Sequence, residues 1–257
     1  MMMITPRYVH NGDARLHYLD SGGDDHGAPI VFVPGMTDIA DDYRQVMPFF
    51  GRRVVVMEIR GHGRSSSPES GYDLATLSRD VGAVVDAVTD GPVHIATFSR
   101  GTSCALRWAV EHADRVRSIA IGDYVPEERV PSSAASSRLL DGRWRGTPVR
   151  ERLDADAAMQ TFLAAQARSM WEPLARLQPP LLVVRSANSV LVSDADWARY
   201  RQLFPDAQLV DFDDSPHDIF RPDRRPYPQL VHDHVDRADR IAQECPGSKS
   251  NPAQKSR

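Results

Sequence analysis

Five short apolar runs set the rhythm of this chain: PIVFVPG at 29–35, RVVVMEI at the start of 53–65, VHIATF at 93–98, SIAIGDY at 118–124 and PLLVVRS at 180–186. Runs this short and this continuously apolar fit strands buried on both faces, as in a parallel sheet. Between them the period changes. Leu74, Leu77, Val81, Val84, Val85 and Val88 recur at helical spacing, which predicts one amphipathic helix there. Further helices are expected over 101–112, 194–204 and Tyr227 to Ala242, the last with Tyr227, Leu230, Val231, Val235, Ala238 and Ile241 on its apolar face. AQLVDFD at 207–213 reads as a last strand. At the start, RYVHNGDARLHYLDSGG reads as two strands joined at Asn11-Gly12, a strong hairpin signal. Strands alternating with helices predict an α/β fold: a mostly parallel, doubly wound sheet with helices on both faces.

The alternation breaks between residues 125 and 178, a stretch rich in Arg, Ser and Ala with helix-like patches near 151–177. A connection of that length inside a compact domain usually covers a site. The expected organisation is a core of 1–124 and 179–243, a short helical lid of 125–178 and a disordered tail of 244–257, polar and containing Gly, Pro and Ser. The formal net charge of −4 disfavours nucleic acid or an anionic membrane as partner. No apolar run approaches the roughly 20 residues of a membrane span, and MMMITPRYVHNGD turns polar too early for a signal peptide. Cys104 and Cys245 match no metal or redox spacing. Two unpaired cysteines suit a reducing, cytoplasmic setting.

In a parallel sheet, ligands bind at the carboxyl ends of the strands. The stretch HIATFSRGTSCALRWAVEH puts Ser99 there, between a strand and a helix. A tight strand-to-helix turn lifts a serine hydroxyl off the sheet edge and presents the first helix amides to a developing oxyanion. The pattern for such a turn is G-x-S-x-G; here it reads Thr97-Phe98-Ser99-Arg100-Gly101, with Thr in place of the first glycine. The alternative for Ser99, less favoured, is a plain helix cap.

Several motifs in order resemble the α/β-hydrolase fold superfamily. VFVPGMTD resembles its oxyanion loop, with Pro34 where His is frequent. EIRGHGRSSSP resembles its D-x-R-G-x-G-x-S turn, with Glu58 for Asp. FSRG falls at the nucleophile elbow, HADRVRSIAIGD at the helix end and strand that follow, and DDSPHDIFRPD at the segment carrying the catalytic histidine. The resemblance spans about residues 7 to 240.

What it implies is a serine hydrolase acting on a small-molecule or peptide ester, amide or lactone without a cofactor or metal. Ser99 would be the nucleophile and His217 the base, in the order Ser…acid…His. The amides of Met36 and Arg100 would hold the oxyanion, and Gly35 would permit close backbone approach. Phe98, Trp144 and Trp171, with Arg143 and Arg145, would shape the substrate cleft. The acid departs from the pattern: its usual position aligns with Asn188, and an amide cannot stabilise an imidazolium as a carboxylate does. Asp123, after the strand ending near 123, is the replacement in this reading, or else a loop cap; Asp194 and Asp218 are less well placed. Arg100 either binds an anionic substrate or pairs with a surface acid. The departures at Thr97, Phe98, Arg100 and Asn188 leave two further readings. One is an atypical, non-hydrolytic member such as a peptide epimerase in natural-product biosynthesis; the other is a non-catalytic binder.

Overall fold

The computed structural model describes residues 3–23, 27–187 and 190–244. Asn188, Cys245 and the rest of the expected tail lie outside the described residues, except Glu244, which ends the last helix. One eight-stranded sheet organises the chain: β1 (Thr5–Asn11), β2 (Ala14–Asp20), β3 (Ile30–Val33), β4 (Val54–Met57), β5 (Val93–Phe98), β6 (Val116–Gly122), β7 (Leu181–Ser186) and β8 (Gln208–Phe212). The spatial order is β1-β2-β4-β3-β5-β6-β7-β8. The β1-β2 hairpin turns at Asn11-Gly12, where Gly12 takes a φ of 60°, and β2 pairs antiparallel with β4. All other pairings are parallel.

The helices are α1 (Leu74–Val88), α2 (Gly101–Glu111), α3 (Ser133–Leu140), α4 (Ala155–Ala164), α5 (Trp171–Leu177), α6 (Asp194–Leu203) and α7 (Pro226–Glu244). Side chains alternate across the sheet, so one strand feeds two cores. Val31, Val55, Ile95, Ile119 and Val183 pack toward α1, α2, α5 and α6. Phe32, Val56, Ala96, Ala120 and Leu182 pack toward α7 and the 3₁₀ turns Ala40–Tyr43 and Met47–Phe50. This two-sided burial is why the strands read as continuous apolar runs. The closing helix buries Tyr227, Val231, Val235 and Ala238, but Leu230 is half-buried and Ile241 is 49 % exposed at its frayed end.

The stretch from 125 to 178 holds α3, α4, α5 and two small antiparallel ladders, Glu127–Glu128 with Arg168–Ser169 and Arg143–Trp144 with Thr147–Pro148. Its last helix belongs to the main core. Trp171 and Leu174 are fully buried there, and Trp171 packs edge-on against Tyr200 of α6, centroids 4.5 Å apart. Trp171 therefore does not shape a cleft, contrary to expectation: its indole N–H donates to Glu127 at 2.8 Å, inside the core. No helix among the described residues is long and apolar enough to cross a membrane.

The chain crosses its own path at β3. From β3 it steps to β4, then returns across β3 to build β5, β6 and β7. That reversal opens a crevice at the carboxyl ends of β3 and β5, where Gly35 and Ser99 follow their strands.

Burial pushes three histidines of this frame, His62, His94 and His234, below their usual range. His234 on α7 falls to about 4 from 6.5. The folded state thus resists a proton that the unfolded chain accepts, so stability falls with pH between those two values. His234 contributes up to about 3 kcal/mol of that loss. Urea unfolding midpoints measured from pH 7 to pH 4 are expected to fall, and the slope to flatten in His234→Leu.

Candidate active site

Ser99 is the first residue past β5, and its backbone is left-handed, φ 51°. A non-glycine residue held there carries strain of about 1–3 kcal/mol. Hydrogen bonds on both sides hold the corner: Ser99 N–H donates to Gly122 O at 2.9 Å, and Thr102 N–H donates to Ser99 O at 3.0 Å. The corner exists because α2 starts against the end of β3. A Cβ on Gly101 would lie 2.1 Å from the Pro34 carbonyl oxygen and 2.5 Å from that of Val33, so only glycine fits. Thr97, the departure from the expected glycine, is accommodated: its hydroxyl pairs with that of Thr102 at 2.8 Å.

His217 reaches Ser99 from the loop after β8, its Nε2 2.9 Å from the Ser99 hydroxyl. Its Nδ1 lies 2.7 Å from Asp123 Oδ2. A carboxylate only accepts, so Nδ1 carries the proton and Nε2 is left to accept from the serine. Asp123 follows β6 directly, is fully buried and also has a positive φ, 48°. Its other oxygen accepts from the Ser186 amide at 2.9 Å, and its own amide donates to Val184 O at 2.8 Å. The acid is therefore seated across β6 and β7. The imidazole stacks on Phe98, centroids 5.0 Å apart and planes 25° apart. Asp194 is almost wholly exposed and pairs with Arg185; Asp218 pairs with Arg145.

Ser99, Phe98 and His217 line a cavity of about 330 Å³ together with Gly35, Met36 and Trp144. Gly35 abuts the corner, since a Cβ there would meet Asp38 at 2.7 Å and the Ser99 Cβ at 3.1 Å. The Arg100 side chain is turned away from the cavity. Its guanidinium donates to the Arg129 carbonyl at 3.0 Å and lies over the Phe162 ring, so it neither faces a substrate nor pairs with a surface acid.

Four further side chains set the shape of this site, and of these only Arg145 was given a role from the sequence. Asp38, buried, accepts from the Gly35 amide at 3.0 Å and from the Trp144 indole at 2.7 Å. Burial pushes its carboxyl above the usual range, against the pull of Arg145 and the Trp144 bond. His62, its pKa lowered by burial, sets Nε2 against the Met36 carbonyl and Nδ1 3.1 Å from the Arg60 carbonyl. Arg145 clamps Asp218 with two bonds of 2.9 and 2.8 Å and lies over Tyr43 and Phe220. Arg152 donates to the Thr37 carbonyl at 2.7 Å and to Asp42. The acids of MTDIADD were the available signal, because three carboxylates beside an apolar strand end call for cationic partners. Among the described residues no cluster of three His, Cys, Asp or Glu side chains is arranged to hold a metal. Asp38→Ala would strand two buried donors at about 1–3 kcal/mol each. Urea denaturation is expected to show a loss of about 2–6 kcal/mol.

The family described as alpha/beta hydrolase fold matches residues 28–152. A non-heme chloroperoxidase of Streptomyces lividans is 37 % identical over 121 residues, 46 % of this chain and 44 % of that protein, so the alignment spans less than half of that relative. The 2-(acetamidomethylene)succinate hydrolase of Mesorhizobium japonicum is 26 % identical over 240 residues, covering 79 % of this chain and 85 % of its own. A crystal structure of E-2-(acetamidomethylene)succinate hydrolase superposes with a TM-score of 0.77 at 21 % identity, over 91 % of this chain and all of that one. The sheet order, the Ser99 corner and these matches agree: the chain has the α/β-hydrolase fold.

Proposed function

We propose that the protein is a serine hydrolase of small esters, amides or lactones, with Ser99 as nucleophile, His217 as general base and Asp123 as the acid. The unbroken relay from the Ser99 hydroxyl through His217 to Asp123, 2.9 and 2.7 Å, carries this reading. Ser99 Oγ attacks the scissile carbonyl while His217 Nε2 takes its proton. The carbonyl oxygen becomes an oxyanion facing the amides of Met36 and Arg100. Collapse expels the leaving group, which takes the proton back from His217. Water then attacks the acyl-serine with His217 again as base, releasing the acid and restoring the serine. Asp123 holds the imidazole in the tautomer this sequence needs and stabilises the imidazolium. No cofactor enters these steps.

Residues between Val125 and Met170 act as a lid in this reading. Trp144 reaches from it over the cavity, bonded to Asp38 of the oxyanion loop. The non-hydrolytic alternative rests on the departures at Thr97, Phe98, Arg100 and Asn188; against the last of these, Asp123 offers a carboxylate 2.7 Å from His217 Nδ1. A relative that aligns along most of this chain is named as a hydrolase, which supports the same reaction class.

A fluorophosphonate probe is expected to label the protein at Ser99, with labelling abolished in Ser99→Ala and in His217→Ala. With a substrate in hand, Asp123→Asn is expected to lower kcat by about 10⁴, as tautomer reversal does in serine proteases. Absence of labelling in the unmodified protein would overturn the assignment.

A further inference from the structure

We infer that the lid arginines Arg138 and Arg143 form a carboxylate-binding subsite at the mouth of the Ser99 cavity, so that the substrate carries a carboxylate away from its scissile carbonyl. This rests on the hydrolase reading of Ser99 and names the class of substrate it serves. Both arginines line the same cavity as Ser99 and His217. Both are exposed at its lid side, Arg138 in the last turn of α3 and Arg143 at the start of the hairpin that also carries Trp144.

What sets them apart is their lack of acidic partners. The other cations of the lid around this cavity are already engaged. Arg145 is held by Asp218, with Asp38 and Asp42 at 3.6 and 3.8 Å. Arg152 is held by Asp42, and Arg150 by Asp141 at 3.0 Å. Asp141 is the acid nearest in sequence to both Arg138 and Arg143, and Arg150 takes it. Among the described residues no carboxylate pairs with Arg138 or Arg143.

Arg143 is also pre-oriented. Its Nε and Nη2 donate to the Gly146 carbonyl at 3.1 and 2.5 Å. That fixes the guanidinium plane and leaves further N–H donors open. Guanidinium donors in a fixed fork match the two oxygens of a carboxylate. The last-turn position of Arg138 is also favourable for a cation beside helix carbonyls, which steadies its charge without consuming its donors. A cavity of about 330 Å³ suits a small molecule with an acyl centre at Ser99 and an anion at the rim. The deep wall of Phe98 and Trp144 offers apolar contact between those two ends.

The test compares mono-p-nitrophenyl glutarate with its methyl-capped neutral counterpart, which differs only by the charge. Nitrophenol release is expected to favour the anionic ester by about tenfold or more in kcat/KM, the size of one charged hydrogen bond. In the Arg138→Ala/Arg143→Ala double variant the ratio of the two kcat/KM values is expected to fall by about tenfold, through KM for the anionic ester. Arg176→Ala removes the same charge from the exposed side of α5, away from the cavity lining, and keeps the ratio. A ratio near one in the unmodified protein, or an unchanged ratio in the double variant, overturns the subsite. Should neither ester be turned over and the fluorophosphonate fail to label, the hydrolase reading fails instead. The subsite is then judged by calorimetric titration of Ser99→Ala with glutarate. Saturable binding that is lost in the Ser99→Ala/Arg138→Ala/Arg143→Ala variant upholds it, and no binding overturns it.

Discussion

The site depends on how closely the start of α2 approaches the end of β3. Gly101 sits where any side chain would strike the Pro34 and Val33 carbonyl oxygens. That contact forces the chain to turn within two residues of β5, and Ser99 absorbs the turn with a positive φ. The same contact sets Gly35 against the Ser99 Cβ. One steric constraint therefore exposes the hydroxyl and brings the loop after β3 beside it. The strain is tolerable because both flanks are held by backbone hydrogen bonds to β6 and within α2.

A second layer ties the insertion to this corner by charge. Trp144 bonds Asp38, Arg145 grips Asp218 beside His217, and Arg152 fastens the Thr37 carbonyl. The loop after β3, the His217 loop and the insertion thus share one buried ionic network. Buried ion pairs add little net stability over apolar packing, because desolvation offsets the attraction. Their effect here is geometric: breaking one leaves a stranded charge, so the alternatives to this arrangement are disfavoured. The arginines outside the network, Arg138 and Arg143, are the ones left facing the cavity mouth.

Much of this was legible in the chain. The apolar runs at 29–35 and 93–98 and the helical period from Leu74 marked strands and helices because each element is buried in its own periodic way. Ser99 and His217 stood out because their neighbours, Gly101 and the SPHDIF segment, carry local patterns. Trp171 misled, since an aromatic in an insertion looks the same whether it caps a cleft or fills a core. Only packing against Tyr200 distinguishes them. Arg100 misled in the same way, its long side chain swinging to a carbonyl 29 residues on. Asp38, His62 and Arg152 went unassigned because they have partners on other segments.

The sequence by itself determined the strands, the helices and the sharp corner at Ser99, because periodicity and glycine placement are properties of near neighbours. Which carboxylate meets His217 was decided by tertiary structure. Asp123 and His217 are separated by 94 residues, and Asp123 becomes a partner only because β6 lies beside β7 in the sheet, where the Ser186 amide fixes its second oxygen. Pairing across a sheet is set by strand order, and strand order is decided by how all the helices pack at once.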